Sequence, residues 1–306
     1  MKVAIIGGLG FIGTNLYKFL SKDKKYKITV IDNFQIKNNI KNFKCKIIKK
    51  DVTKINNLNK LLKNFEIIIN LSGQTGVLES FEKPIFSITN NIIGFSNIID
   101  SLKNSKCKVF INASTGGAIY GESKNNCSEN DPKNPKSVYG LTKLFNENYS
   151  SILSSKINFQ IIHLRFSNVF GEFSLHKKSL IHTTIKNCLT GKKTSIFGDG
   201  SQKRNFIYVN DLVKIIKRCF YLKSGNYNVA APKSYTVRQF IKIISAIDSR
   251  AAFDYFKFNE GEVKIVNISN KKLKNKLNLN KNSFTVFKNS ILKTYIWYKK
   301  NLKNNI

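Results

Sequence analysis

Tyr139 and Lys143 stand four residues apart, a spacing that sets a phenol and an ammonium on one face of a helix. A cation beside the phenol favours phenolate and moves a group of ordinary pKa about 10 toward the range of a usable base. The pair alone is weak, because 12 tyrosines among so many lysines give roughly two such pairs by chance, and three are present: Tyr120/Lys124, Tyr139/Lys143 and Tyr295/Lys299. Context selects among them. Tyr120 precedes Gly121 and a polar loop, Tyr295 lies in a charged C-terminal helix, and only Tyr139 opens a helix behind a turn marked by Pro132 and Pro135. Upstream, Ser114 and Thr115 end an apolar run, and either hydroxyl could bond the oxygen that Tyr139 deprotonates. A plain strand-end turn would use the same residues as caps.

A second chemistry is written at the N-terminus. Val3-Ala-Ile-Ile-Gly-Gly-Leu-Gly-Phe-Ile-Gly13 is a short apolar strand running into a glycine turn and a helix. Residues without Cβ let the backbone approach a pyrophosphate, and the helix amides point at its charge. Gly8, Gly10 and Gly13 fit G-x-G-x-x-G, while Gly7, Gly10 and Gly13 fit a three-residue spacing. A second apolar strand ends in Asp32, where an acid accepts hydrogen bonds from an adenosine ribose and repels a 2′-phosphate. Together these predict a dinucleotide-binding βαβ unit that takes NAD rather than NADP.

The elements that must carry these groups alternate. Strands are predicted over 2–6, 27–31, 45–49, 66–71, 108–112 and 159–165, with helices over 11–20, 88–102 and 138–153 between them. Apolar strands joined by helical crossovers imply an α/β fold, a Rossmann-type doubly wound parallel sheet with the active residues at its carboxyl edge. Past about residue 168 the rhythm breaks into shorter pieces, which predicts a smaller mixed α/β lobe. The expected division is a dinucleotide domain over 1–168, with roughly 207–229 returning to it, and a second lobe from 169–206 and 230–306.

Composition excludes other classes. The five cysteines are odd in number, scattered and never in C-x-x-C spacing, so they predict reduced thiols, no disulfide and no metal site. No leader-like segment precedes the first strand and no apolar run is long enough to cross a bilayer, so a cytoplasmic protein without membrane partners is expected. The net charge of +34 comes almost wholly from lysine, with only five arginines (Arg165, Arg204, Arg218, Arg238 and Arg250). Dispersed lysine makes a solvated surface rather than a nucleic-acid interface, so no specific nucleic acid is expected.

With these residues assembled, the chain resembles the extended short-chain dehydrogenase/reductase family, and within it nucleotide-sugar epimerases such as UDP-glucose 4-epimerase. Further matches are Asp32-Asn33, Asp51-Val52, Leu71-Ser-Gly-Gln74, Asn91-Ile-Ile-Gly94, Ser114-Thr-Gly-Gly-Ala-Ile-Tyr-Gly121, Leu164-Arg-Phe-Ser-Asn-Val-Phe-Gly171 and the run from Ile196 to Asp211. The resemblance implies NAD held by Gly7, Gly10, Phe11, Ile12 and Gly13 at the pyrophosphate, Asp32 and Asn33 at the ribose, and Asp51 and Val52 at the adenine. Leu71, Ser72, Gly73 and Asn91 would line the cleft, with Tyr139 and Lys143 at the nicotinamide end. Asn168, Arg204 and Lys264 would meet the substrate diphosphate, Ile196 and Phe197 the nucleotide base, and Arg165 would buttress the sheet.

Gly116 and Gly117 stand where the family's dehydratases carry an Asp-Glu pair, so oxidation at C4 and re-reduction is the implied reaction, with a ketoreductase or dehydrogenase consuming nicotinamide as the alternative. A non-catalytic NAD- or polyanion-binding protein is the remote third reading. Val266 falls where bulk would exclude an N-acetyl group. A homodimer is implied through helices near 92–102 and 138–153, as is a role in making cell-surface polysaccharide precursors.

Overall fold

The computed structural model describes residues 1–35, 43–122, 126–257 and 265–302. Strands occur at β1 (Lys2–Ile6), β2 (Lys27–Asp32), β3 (Lys46–Lys49), β4 (Ile67–Asn70), β5 (Val109–Thr115), β6 (Gln160–Phe166), β7 (Asn168–Phe170), β8 (Thr194–Phe197), β9 (Lys203–Tyr208), β10 (Gly225–Val229), β11 (Ser234–Thr236), β12 (Phe253–Phe256) and β13 (Ile265–Val266). The helices are α1 (Phe11–Leu20), α2 (Leu58–Leu62), α3 (Val77–Glu82), α4 (Pro84–Ile88), α5 (Gly94–Ser101), α6 (Gly116–Ile119), α7 (Val138–Leu153), α8 (Leu180–Leu189), α9 (Val209–Arg218), α10 (Val237–Ile247), α11 (Lys271–Lys276) and α12 (Phe287–Leu302).

The main sheet has seven strands, all parallel, in the order β10-β6-β5-β4-β1-β2-β3. Its strands read as unbroken apolar runs because both faces are covered. In β1, Val3 and Ile5 face a core built with α1, α8, α9 and α12, while Ala4 and Ile6 face a second core with α2 and α5. The chain order reverses at β1 and β4, which places the glycine turn and the ends of β4 and β5 around one crevice.

A smaller assembly lies beyond β6. There β9 pairs with β7, β11 and β13, and β8 pairs with β12. The single long helix predicted over 88–102 is instead α4 and α5 joined by a π-helical turn, Thr89–Ile93. Asn91 lies within that turn and is buried.

Candidate active site

The glycine turn is built as a cradle. Gly7 has φ +72°, a conformation L side chains rarely adopt, and its amide donates to Ile31 O at 2.8 Å. A Cβ on Gly13 would lie 2.6 Å from Gly7 O, so α1 can leave the turn this tightly only with glycine there. No side chain caps the first turn of α1, and its amides are available to a phosphate. Asp32 is buried at the end of β2, and its two oxygens accept from Leu9 N at 3.0 Å and Phe34 N at 2.8 Å. Burial raises the Asp32 pKa, and these backbone donors pull it part of the way back. The acid thus ties the turn to β2 and keeps acceptor capacity for a ribose hydroxyl. This donor set and cradle fit a dinucleotide.

Other residues expected at the cofactor are distributed differently. The side chain of Phe11 is buried and meets His182 edge to face at 5.5 Å, so Phe11 has only backbone to offer. Ile12 is half-buried and Asn33 accepts from Gln35 N. Asp51 accepts from both the amide and the hydroxyl of Thr53, and the carbonyl of buried Val52 is taken by Asn97. Leu71 and Ser72 are half-buried and Gly73 is exposed. Asn91 acts as a brace: its amide accepts from Gln74 N at 2.9 Å and donates to Gln74 O and to Thr142 Oγ1.

The reactive end is organised by α7. Ser137 caps this helix by accepting from Gly140 N at 3.0 Å. A Cβ on Gly140 would come within 2.4 Å of Ala118 O, so glycine lets the helix start press against α6 at the end of β5. Tyr139 thereby lies beside Thr115, whose hydroxyl accepts from Ala118 N at 3.3 Å and favours the phenolate. Lys143 is buried one turn on, with Nζ donating to Ala113 O at 3.1 Å and lying 5.9 Å from the Tyr139 ring centre.

In the protein without its cofactor, burial dominates at both groups. Burial pushes the phenol up to about 12, the Thr115 hydroxyl offsetting part of the rise, and pushes Lys143 down to about 8. Desolvation outweighs an ammonium that is turned toward a carbonyl rather than toward the phenol oxygen.

Ser114, the other candidate hydroxyl, faces a different partner. It donates to Glu147 Oε1 at 2.7 Å, and Glu147 is gripped by Arg165 through Nη2 at 2.5 Å and Nε at 3.0 Å. Arg165 is fully buried and also reaches Tyr120, which donates to Asn228, so the expected buttress is present. The competing pairs fall away as well: Tyr120 belongs to this cluster, and Tyr295 donates to Asp248.

Sequence reasoning missed a buried polar row in register across three strands, Asn70, Asn112 and His163. Ser72 Oγ donates to Asn70, Asn70 to Asn112 and Asn112 to His163 Nδ1, leaving His163 Nε2 for Ser150. Burial holds His163 neutral, its pKa down to about 4. The signal was available as a polar residue at the same level of three otherwise apolar strands.

On the far side of the crevice, exposed Asn168 donates to Asn205 O. Arg204 lies on β9, with Nη1 donating to Lys203 O. Along alternating β8 the Ile196 side chain is buried, leaving its backbone to face a ligand, while Phe197 is exposed and packs near Phe256. Lys264 lies outside the described residues, as does the side chain of Val266, whose backbone pairs with Arg204.

Residues 3–230 match the model of the NAD dependent epimerase/dehydratase family. The chain belongs to that family. A putative UDP-glucose 4-epimerase of Methanocaldococcus jannaschii is 32% identical over 268 residues, covering 85% of this chain and 87% of the relative. Among solved structures, the Thermotoga maritima UDP-glucose 4-epimerase with UDP-glucose superposes with TM-score 0.92 at 25% identity, covering 99% of this chain and 100% of the other. A UDP-N-acetylglucosamine 4-epimerase of Methanobrevibacter ruminantium gives TM-score 0.89 at 28% identity over 98% of both chains. NAD is the cofactor of the family, and the cradle and Asp32 fit it. The relatives also include a dTDP-D-glucose 4,6-dehydratase of Dictyostelium discoideum, 33% identical over 233 residues. The five thiols are free, and no cluster of metal ligands occurs among the described residues. No helix among the described residues is long and apolar enough to cross a membrane.

Proposed function

We propose that this enzyme inverts C4 of a nucleoside-diphosphate hexose, UDP-glucose/UDP-galactose or an N-acetyl counterpart, through a transient 4-keto sugar. The observation that carries the reading is Tyr139 set beside Thr115 with a buried Lys143 one helical turn on, at the edge of a dinucleotide cradle. NAD, when bound, accepts a hydride and returns it, and its positive ring adds to the charge that favours phenolate.

Thr115 holds the C4 hydroxyl in line, and Tyr139 takes its proton as the C4–H bond breaks. After the keto sugar turns over, Tyr139 gives the proton back to the oxygen on the other face. Ser114 keeps the sheet and α7 in register through Glu147. Gly116 and Gly117 offer no acid–base pair for eliminating water, which favours epimerisation over dehydration.

The reading includes a division of labour between a cofactor lobe and a substrate lobe formed by 169–206 and 230–306. Phe197 and Arg204 would meet base and diphosphate. It also includes a homodimer, supported by exposed Leu78, Phe81, Ile85, Leu141 and Ile152 on α3, α4 and α7. Light scattering reads the mass directly.

The experiment is incubation of the purified protein, without added cofactor, with UDP-glucose, UDP-galactose and their N-acetyl forms, followed by NMR. Exchange at C4 that disappears in Tyr139→Phe is expected. Turnover only with stoichiometric NADH would replace the reading with a ketoreductase.

A further inference from the structure

Segment 171–182 links the two sides of the crevice. At one end, Glu172 O accepts from Asn15 Nδ2 at 2.9 Å, and His182 packs on Phe11, so the segment is pinned to α1 beside the glycine turn. In its middle, Lys177 Nζ donates to Thr75 Oγ1 at 3.1 Å, 102 residues away in sequence. Thr75 lies two residues past Gly73, and a Cβ on Gly73 would sit 3.5 Å from Lys143 Nζ. The Lys177 ammonium is therefore carried to the loop that flanks the reactive end.

Its charge is unbalanced there. No carboxylate pairs with Lys177 among the described residues; its ammonium is held by the Thr75 hydroxyl. Beside it is His176, whose two ring nitrogens are closed off from solvent and have no hydrogen-bond partner. Burial, with the nearby Lys177 charge added, holds His176 neutral, its pKa down to about 4. Burial likewise lowers the Lys177 pKa. An ammonium with one proton on a hydroxyl has two more to donate to an anion that enters the crevice.

We propose that Lys177 binds an anionic oxygen of the nucleotide sugar, either on the diphosphate or as a carboxylate on the sugar. Thr75 is the positioning residue that holds the ammonium across the crevice. The inference rests on the nucleotide-sugar reading above and names which group of that substrate this segment recognises. It also assigns work to a basic residue that the glycine turn, the Tyr-Lys pair and the expected diphosphate ligands leave unused.

The test compares NAD-loaded wild type and Lys177→Met by calorimetry with UDP, UDP-galactose and UDP-glucuronate, and follows turnover of any sugar that reacts. Methionine keeps the stem and removes the charge, and retained NAD reports an intact fold. A loss of at least about tenfold in affinity for all three ligands assigns the diphosphate. A loss of that size confined to UDP-glucuronate assigns the sugar carboxylate. Affinities within twofold of wild type for all three overturn the proposal, as does a wild type that binds none of them. Thr75→Val is expected to weaken the same ligands less than Lys177→Met, and unchanged binding there with a full loss in Lys177→Met would remove only Thr75 from the account. Binding is read independently of turnover, so tight binding without epimerisation would sink the proposed reaction and leave this assignment standing.

Discussion

Replacing Lys143 with Met should abolish turnover and yet stabilise the NAD-free protein. The ammonium is buried and donates to the Ala113 carbonyl. A lysine of ordinary pKa 10.5 held at about 8 by burial carries a cost of about 3 kcal/mol when charged at neutral pH. Methionine fills similar volume without the charge and forgoes a hydrogen bond worth about 1 kcal/mol, leaving a net gain of about 2 kcal/mol. For a chain of this size that is a rise in Tm of about 3 °C.

The pH dependence carries the sign. Below pH 8 the lysine is protonated in both states and the whole penalty is present. Between about 8 and 10.5 the folded form has released a proton that the unfolded chain still holds, so wild type gains stability relative to the variant and the gap closes. Thermal unfolding of cofactor-free protein at pH 7 and pH 10 measures both terms. A variant that melts at or below wild type at pH 7, or a gap that is the same at both pH values, would refute the reasoning.

Thr115→Val should lower kcat by about 10²-fold while Ser114→Ala stays within about threefold of wild type, since only Thr115 meets Tyr139; steady-state rates on the same sugar decide it. Arg165→Met strands the buried Glu147 carboxylate and should cost about 3–5 kcal/mol in urea unfolding, with Glu147→Gln milder. Gly13→Ala drives a Cβ into Gly7 O and should yield protein that retains little NAD, read from the absorbance of the released cofactor.

Much of this architecture was legible because it depends on local rules. Unbroken apolar runs such as Val3-Ala-Ile-Ile can be satisfied only in a sheet covered on both faces, and glycine at 7, 10 and 13 answers a steric demand that any fold with this turn imposes. The helix over Val138–Leu153 begins where Ser137 caps it, which puts Tyr139 and Lys143 on one face from spacing alone. A seven-residue β5 that runs on to Thr115 was less visible, because Ala-Ser-Thr reads as a turn until β6 pairs with it.

Tertiary structure decided the rest. Ser114 and Thr115 are equivalent hydroxyls in the sequence, and only the placement of Glu147 and Tyr139 on α7 separates their roles. Ile196 and Phe197 are equally apolar neighbours, and the side of β8 that packs determined which is buried. The π-helical turn that contains Asn91 interrupts the 3.6-residue period, so no regular spacing marks Asn91 as buried. Lys177 looks like one lysine among dozens until the chain brings it to Thr75. Sequence fixes what a residue can do and, through short periods, its local direction; what it meets is set by segments a hundred residues away, because burial and charge are properties of the packed assembly rather than of the chain.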